Sequence, residues 1–521
     1  MTTTKCWDLG VARVRSNFDA GNLGGAEFLN AKPGSQRPRL RVWPAADCED
    51  TEFETHSRTW FYFGVTGLPT GAKVEIEIVH MNMQKALYAN GMKPVFRTDG
   101  TGWSRVPGTL HTEDNGPDDF SMHFSHIFFH GPQVETFFAF CYPYSFVEWE
   151  ARRQMLQARF AGPSQKPGND IYFHREILTK SLQDRPVDIL TITSSTEGPL
   201  APESDYMQNV QSEHGQYLFP ERSRMSSCKE FPSKPIVFVS ARVHPGETPA
   251  SFCLDGLLDF LLDEKDPRSI SLRRSFVFKI VPILNPDGVA LGHYRADTLG
   301  QNLNRFYHAP KPSKQPAVAA VVALASYYAR SGRFYMYLDL HAHASKRGCF
   351  LYGNHFPDEE AQVENMVYSR LVALNTPFLD IKACSFSQRN MSMRDTRDQT
   401  VSKEGSGRVG IFRATGALRC YTLECNYNCG RVLNEVPAAA RARREEDSRL
   451  QESNDTPKRP PSPERIFSEP ASSIKYSPAE WRDVGKACGV ALLDLCGGNP
   501  QSRGLLCPGA LESMPNWFPK A

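Results

Sequence analysis

What the 521-residue chain lacks narrows its function first. It has no excess of one charge sign: 60 Lys and Arg against 58 Asp and Glu leave a formal net charge of +2. A protein that neutralises many phosphates needs a basic excess, so no nucleic-acid partner is expected. Long hydrophobic runs are missing too. The longest small-apolar stretch, Ala317 to Ala329, falls short of the roughly 20 residues that span a bilayer and reads as a buried helix. The opening MTTTKCWDLG has no apolar core, so neither a secretory signal nor a membrane partner is expected. No internal repeat and no HExxH occur, which leaves solenoids and zincin metalloproteases unsupported. The 13 cysteines, odd in number and irregularly spaced, fit reduced thiols in the cytoplasm better than a disulfide framework. The sequons at Asn390-Met-Ser392 and Asn454-Asp-Thr456 are then expected to stay idle.

What is present is ordinary globular material, 40% hydrophobic and 23% charged, long enough for two to four domains. From about Arg39 to Tyr144 short aromatic and β-branched runs alternate with Gly, Pro and Asn. Val74, Ile76 and Ile78 against Lys73, Glu75 and Glu77 give one buried and one wet face. This pattern predicts an antiparallel β-sandwich domain over residues 1–158. Beyond it, 159–521 changes character. PIVFVSAR (235–242), FVFKIVPIL (276–284), FYMYLDLH (334–341) and CYTLECN (420–426) are strands apolar on both faces, and 249–264 and 479–495 are helical. Such alternation predicts an α/β fold with a largely parallel or mixed sheet flanked by helices. The mixed-charge, Pro/Ser-rich stretch 436–473 reads as a disordered surface insertion.

Three of these strands end in chemistry. The first leads into His244-Pro-Gly-Glu247, the third ends in Asp339-Leu340-His341, and the fourth carries Glu424. In α/β sheets, ligands gather at the carboxyl ends of strands. Any one of these histidines alone is an ordinary capping or core residue. Together, two His and one carboxylate form the set that leaves zinc one open position. NPDG (285–288) is a turn by composition, and GHYRADTLGQNLNR (292–305) follows it. Rigid polar donors such as Asn304 and Arg305 would be solvated loop residues or, beside a metal, would suit a free carboxylate. Gly405-Ser-Gly-Arg-Val-Gly410 matches G-x-G-x-x-G, but polar residues rather than a strand precede it, so no dinucleotide is expected.

The order HPGE, NPDG, HYR, NLNR, DLHAH and TLECN is similar to the M14 zinc carboxypeptidases, and specifically to their cytosolic branch, the tubulin deglutamylases. RSNFDAGNLGGAE (15–27), the aromatic β-domain and YPYSFVEW (142–149) resemble that branch's N-terminal domain. TEFETHSRTWFYF (51–63), NMSMRD (390–395), SKEGSGR (402–408) and ECNYN (424–428) look closest to its type 5. The resemblance implies one Zn2+ held by His244, Glu247 and His341, with His343 structural. It implies Glu424 as the general base, which also passes the proton to the leaving amine. Arg295 would stabilise the oxyanion, and Asn304 and Arg305 would bind the terminal carboxylate. The implied partners are glutamylated tubulin C-terminal tails or other acidic tails, in the cytoplasm, with nuclear or microtubule and cilium association left open.

A terminal glutamate brings a second negative charge. Arg408, sixteen residues before Glu424, falls near the offset at which digestive relatives place their specificity residue, and Lys403 is the second candidate. Gly405 and Gly407 are expected to let this loop turn sharply. Those relatives also carry a mobile tyrosine about twenty residues before the base, where Ser402 and Lys403 stand here; Tyr421 and Tyr427 flank Glu424 too closely to replace it, and a proton donor beyond Glu424 stays open. The competing readings are an aspartoacylase-type amidohydrolase, which shares the ligand set, and an inactive microtubule-binding scaffold.

Overall fold

A computed structural model describes residues 5–29, 38–82, 84–116, 119–160, 170–196, 218–222, 226–394, 401–432, 434, 436 and 473–502. The predicted 436–473 insertion, apart from its two end residues, lies outside the described residues.

The N-terminal region folds as two stacked sheets. One has six strands in the order Cys6–Asp8, Arg13–Arg15, Tyr62–Thr66, Thr136–Ala139, Val95–Thr98 and Ser104–Arg105. The other has five, in the order Gly25–Leu29, Arg39–Trp43, Ala72–Met81, Phe120–Phe128 and His111–Asp114. Val74, Ile76 and Ile78 are wholly buried, as the alternation requires. Phe124, His126 and Phe128 of the second sheet meet Phe138 of the first at ring-centroid distances of 6.0, 4.9 and 6.2 Å, which makes the sandwich core. One pairing departs from the expected antiparallel pattern: Arg39–Trp43 runs parallel to Ala72–Met81. The boundary at residue 158 falls inside a helix, Phe146–Phe160. That helix is tied to both sides, because Val147 N donates to Asp19 and Trp149 Nε1 donates to Asp188 at 2.8 Å.

The second region is built on a seven-stranded mixed sheet. Its strands are β1 (Ile171–Lys180), β2 (Pro186–Ser194), β3 (Ile236–Ala241), β4 (Val277–Val281), β5 (Phe334–His343), β6 (Cys349–Tyr352) and β7 (Arg419–Asn426). Their spatial order is β1-β2-β4-β3-β5-β7-β6, with β4, β3, β5 and β7 parallel and the outer strands antiparallel. Helices α1 (Pro249–Leu261), α2 (Pro316–Arg330), α3 (Glu359–Asn375), α4 (Gly407–Thr415) and α5 (Pro478–Leu495) cover it. β3 shows why its sequence is apolar at all but Ser240. Val237 and Val239 pack into the core shared with α1 and α5, whereas Ile236 and Phe238 pack into the opposite core with α2.

Helices α1 and α5 approach backbone to backbone. A Cβ on Gly256 would collide with the Arg482 carbonyl, and one on Gly485 with the Cys253 carbonyl. Gly→Ala in a helix interior ordinarily stabilises by about 1 kcal/mol. Here overpacking against a rigid backbone costs about 1–3 kcal/mol or more and outweighs that gain. Gly485→Ala is therefore expected to lower the thermal unfolding midpoint by a few degrees. An unchanged or raised midpoint in a calorimetric scan would show that the helices can move apart freely.

Candidate metal centre and active site

The chain leaves β3 at Ala241 and turns through Arg242, which holds a left-handed φ of 58° although it is not glycine. This guanidinium is fully buried. It donates to the Pro245 carbonyl at 2.9 Å through Nε, to the Tyr144 carbonyl at 2.9 Å and to Ser251 Oγ at 2.9 Å. The turn is thereby clamped, and His244 and Glu247 are delivered over the strand ends. Gly246 is required by space, since a Cβ would lie 2.6 Å from the Tyr294 ring. On the neighbouring strand, His341 and Glu424 are direct partners in the β5–β7 register, so strand pairing alone sets ligand beside base.

His244, Glu247 and His341 converge, each offering a ligand atom within 4.8 Å of the others. His244 Nδ1 and His341 Nδ1 each lie 2.8 Å from a different oxygen of Glu247. The other ring nitrogens face acceptors: His244 Nε2 is 2.9 Å from Asn302 Oδ1, and His341 Nε2 is 2.8 Å from Asp339 Oδ2. An acceptor at Nε2 puts the imidazole proton there and leaves the Nδ1 lone pair for a cation. The donor set therefore fits zinc through two Nδ1 atoms and one carboxylate. Asp339 is itself held by Ser240 Oγ at 2.7 Å, in a network that reaches Tyr337.

Charge is unevenly distributed here. Burial, with Arg295 nearby, pulls the His244 imidazole down to about 4. Burial acts the same way on His341, but the Asp339 and Glu247 carboxylates outweigh it and raise this imidazole well above its usual value. Against burial, the two imidazoles hold Glu247 well below the carboxylate range. Glu424, half-buried with no hydrogen-bond donor among the described contacts, is pushed by burial up to about 8.

The remaining predicted residues gather on the same side. Arg295 is half-buried, with Nη1 3.8 Å from Glu247 Oε1. Asn304 and Arg305 are buried in a short 3-10 turn, Leu303–Arg305. Asn304 Nδ2 is 3.5 Å from His341 Nε2, and its Oδ1 accepts from Gly407 N at 2.8 Å. Arg408 is only 2% exposed and opens α4. Its Nη1 donates to the Gly353 carbonyl at 2.5 Å and to Asn354 Oδ1 at 2.7 Å, and its Nη2 to Asn390 Oδ1 at 3.1 Å. Its Nε has no partner among the described residues, nor does any carboxylate there pair with it. Burial pulls this guanidinium down to about 10, with Tyr352 and Glu424 close enough to act on it. Lys403 Nζ lies 5.6 Å from the centre of the Tyr352 ring, and its charge is felt at Glu424.

Two expectations need correction or addition. The chain does turn tightly here, in a 3-10 turn over Lys403–Gly405, without a left-handed φ at Gly405 or Gly407. Both are needed for close approach, Gly405 against the Arg305 carbonyl and Gly407 with a Cβ position 2.7 Å from Asp339 Oδ2. His343 accepts from Lys346 N at 3.0 Å and from Ser345 N at 3.2 Å through Nδ1, shaping the turn after β5. Asn302, Asp339, Arg242, Tyr352 and the N-terminal Asp47 were not foreseen. Asp339 could have been found, because residues i and i+2 of a strand share a face. Asn302 stands in the same relation to Asn304 within the quoted NLNR.

These two regions match known proteins separately and together. A family model described as zinc carboxypeptidase matches residues 170–373, and one described as cytosolic carboxypeptidase N-terminal domain matches 14–139. The first range contains the three ligands, Arg295, Asn304 and Arg305, and stops before Lys403, Arg408 and Glu424. Cytosolic carboxypeptidase-like protein 5 of Homo sapiens is 35% identical over 615 residues, covering 97% of this chain and 66% of that protein. Its Rattus norvegicus counterpart is 34% identical, covering 97% and 70%. Homo sapiens cytosolic carboxypeptidase 6 is 32% identical over 426 residues, covering 79% and 71%. The chain thus spans about two thirds of the length of these curated relatives. Among solved structures, a metallo-carboxypeptidase from Burkholderia cenocepacia shares the fold with a TM-score of 0.60 at 20% identity, covering 93% of this chain and 98% of that one. One from Pseudomonas aeruginosa does so at 0.57 and 18%, covering 93% and 99%. Matched in both domains by sequence and across nearly its whole length by fold, the chain belongs to the cytosolic carboxypeptidases, within the M14 zinc carboxypeptidase family.

Proposed function

We propose that this chain is an active zinc-dependent carboxypeptidase that removes glutamate from acidic protein tails, polyglutamylated tubulin tails and their branch-point glutamates included, in the cytoplasm. The observation that carries this reading is Arg408. A buried guanidinium with no carboxylate partner among the described residues is costly. The side-chain carboxylate of a bound terminal glutamate would complete it, beside Glu424.

A wider cationic surface supports an acidic substrate. A cavity of about 350 Å³ is lined by Lys346, Arg347, Lys382 and Arg431, with Asp380 the one acidic residue. It adjoins the catalytic side, because Lys346 Nζ stands 5.1 Å from the centre of the Tyr352 ring, the same ring that faces Lys403. A row of cations there can follow a run of glutamates away from the scissile bond.

In this reading each polar group has a task. Asn304 and Arg305 bind the α-carboxylate, which restricts cleavage to the last residue. Glu424 takes a proton from the attacking water and returns it to the departing amine. Arg295, on the Glu247 side, faces the charge that develops on the carbonyl oxygen. Zinc, when bound by His244, Glu247 and His341, supplies Lewis acidity at that carbonyl.

Three measurements test these assignments. Asp339→Asn should weaken zinc affinity about 10- to 100-fold, the usual cost of losing an outer partner of a ligating histidine. Competition with a chelator reads this directly, and an unchanged affinity would free His341 from Asp339. Glu424→Gln should keep stoichiometric zinc and the unfolding midpoint yet lose roughly 10²–10⁴-fold in kcat. A loss under about tenfold would misplace the base. For Arg408→Ala, a hydrogen bond to a charged group is worth about 1.5–3 kcal/mol. Cleavage of a synthetic peptide ending in glutamate should therefore fall about 10- to 150-fold in kcat/KM, while a peptide with a neutral last residue loses little. Equal losses on both peptides would show that Arg408 does not read the glutamate side chain.

A further inference from the structure

Among the contacts by which the N-terminal sandwich reaches the active site, one side chain grips the Arg295 backbone itself. Asp47, 1% exposed, sits in the loop that follows strand Arg39–Trp43. Its Oδ1 accepts from Tyr294 N at 2.6 Å, and its Oδ2 accepts from Arg295 N at 2.7 Å and Ala296 N at 2.8 Å. No lysine or arginine pairs with this carboxylate among the described residues. Its charge is met by three successive amides, a concave arrangement of N–H groups suited to an anion.

The loop presenting Asp47 is itself braced. Asp47 N donates to the Ser57 carbonyl and Thr55 N to the Asp47 carbonyl, both at 3.0 Å. Cys48 adds a contact from its thiol to the Asp297 carbonyl at 3.1 Å. The recipient tripeptide is pinned on its other side, where Gly246 N donates to the Tyr294 carbonyl at 2.9 Å. Residues 294–296 therefore lie between a carboxylate of one domain and the metal-ligand loop of the other.

We propose that Asp47 is a positioning residue for Arg295. By fixing the amides on both sides of the Arg295 Cα, it sets the direction in which that side chain leaves the backbone and keeps the guanidinium on the Glu247 side of the site. The N-terminal domain then completes the transition-state-binding geometry of the catalytic domain. Buried carboxylates in cores are commonly matched with a cation, and a purely adhesive domain contact would need neither a charge nor its placement at this tripeptide. The inference rests on Arg295 as the oxyanion-stabilising group.

A double-mutant cycle on the zinc-loaded full chain tests it, using a synthetic peptide ending in consecutive glutamates. Asp47→Asn is expected to lower kcat roughly 10- to 100-fold, up to the loss of one oxyanion donor. KM, zinc content and the affinity for free glutamate should stay near wild type. In an Arg295→Ala background the same change should cost less than about threefold, because the group it positions is gone. A full second loss there, or a wild-type kcat for Asp47→Asn, would overturn the proposal. Asp47→Glu keeps the charge and the acceptors but displaces the tripeptide by a methylene. It carries the same cycle if Asp47→Asn does not fold. An Arg295→Ala enzyme with wild-type kcat would instead overturn the assignment of Arg295 itself, which separates the two failures.

Discussion

The site depends on the carboxylate of Glu247. Its two oxygens lie against the Nδ1 atoms of His244 and His341, and one also accepts from Ala342 N at 3.0 Å. A single side chain thus joins the loop after β3 to the end of β5. Those two strands are neighbours in the sheet, but their ends are free to diverge once pairing stops. The Ala342 amide holds the carboxylate across that gap, and a divalent cation placed between the carboxylate and the two Nδ1 lone pairs would close it more tightly. Everything else is arranged around this junction: Arg242 clamps the approach of the loop, Asp339 and Asn302 orient the rings, and the β7 register brings Glu424 alongside.

The two domains form one unit around that junction. Besides Asp47, Arg105 of the sandwich donates to the Tyr427 carbonyl at 2.7 Å, just past Glu424, and Ala20 N donates to the Ala290 carbonyl at 3.0 Å. Arg242, on the catalytic side, reaches back to Tyr144. These are polar contacts to backbone groups at the domain boundary, and each needs both partners in place to be satisfied. A domain held in this way behaves as part of the scaffold of the site.

How much was legible beforehand follows from where each signal lies. β3, β4, β5 and β7 could be read because strands covered on both faces are apolar over most of their length, with the polar residues gathered mainly toward their carboxyl ends. β1 could not. Its centre, His174-Arg175-Glu176, is charged, and only the fold shows that Arg175 pairs with Asp188 and Glu176 with Arg222. Helix Phe146–Phe160 was hidden because Phe146, Trp149 and Leu156 are its only buried residues. The metal ligands were legible through local spacing and strand ends. Asp47 had no motif to mark it, being 248 positions from Arg295 and joined to it only through the backbone. Long-range contacts to amides leave no trace in residue type.

The near-zero net charge conceals a strongly divided site. On one side, Glu247, Asp339 and Glu424 crowd around two imidazoles, a surplus of carboxylates suited to a divalent cation. On the other, Arg295, Lys403 and Arg408 face the same space from the 292–305 loop and the segment leading into α4. Among the described residues Arg408 has no carboxylate partner, and the contact between Arg295 and Glu247 is a long one. Arg408 is held by neutral oxygens, and Arg295 approaches Glu247 only to 3.8 Å. Opposed charges kept apart in a buried setting hold a field across the gap. A glutamate-ending peptide of the kind proposed above would enter with its two carboxylates toward the arginines, which would leave its last carbonyl directed at the acidic, metal-binding side.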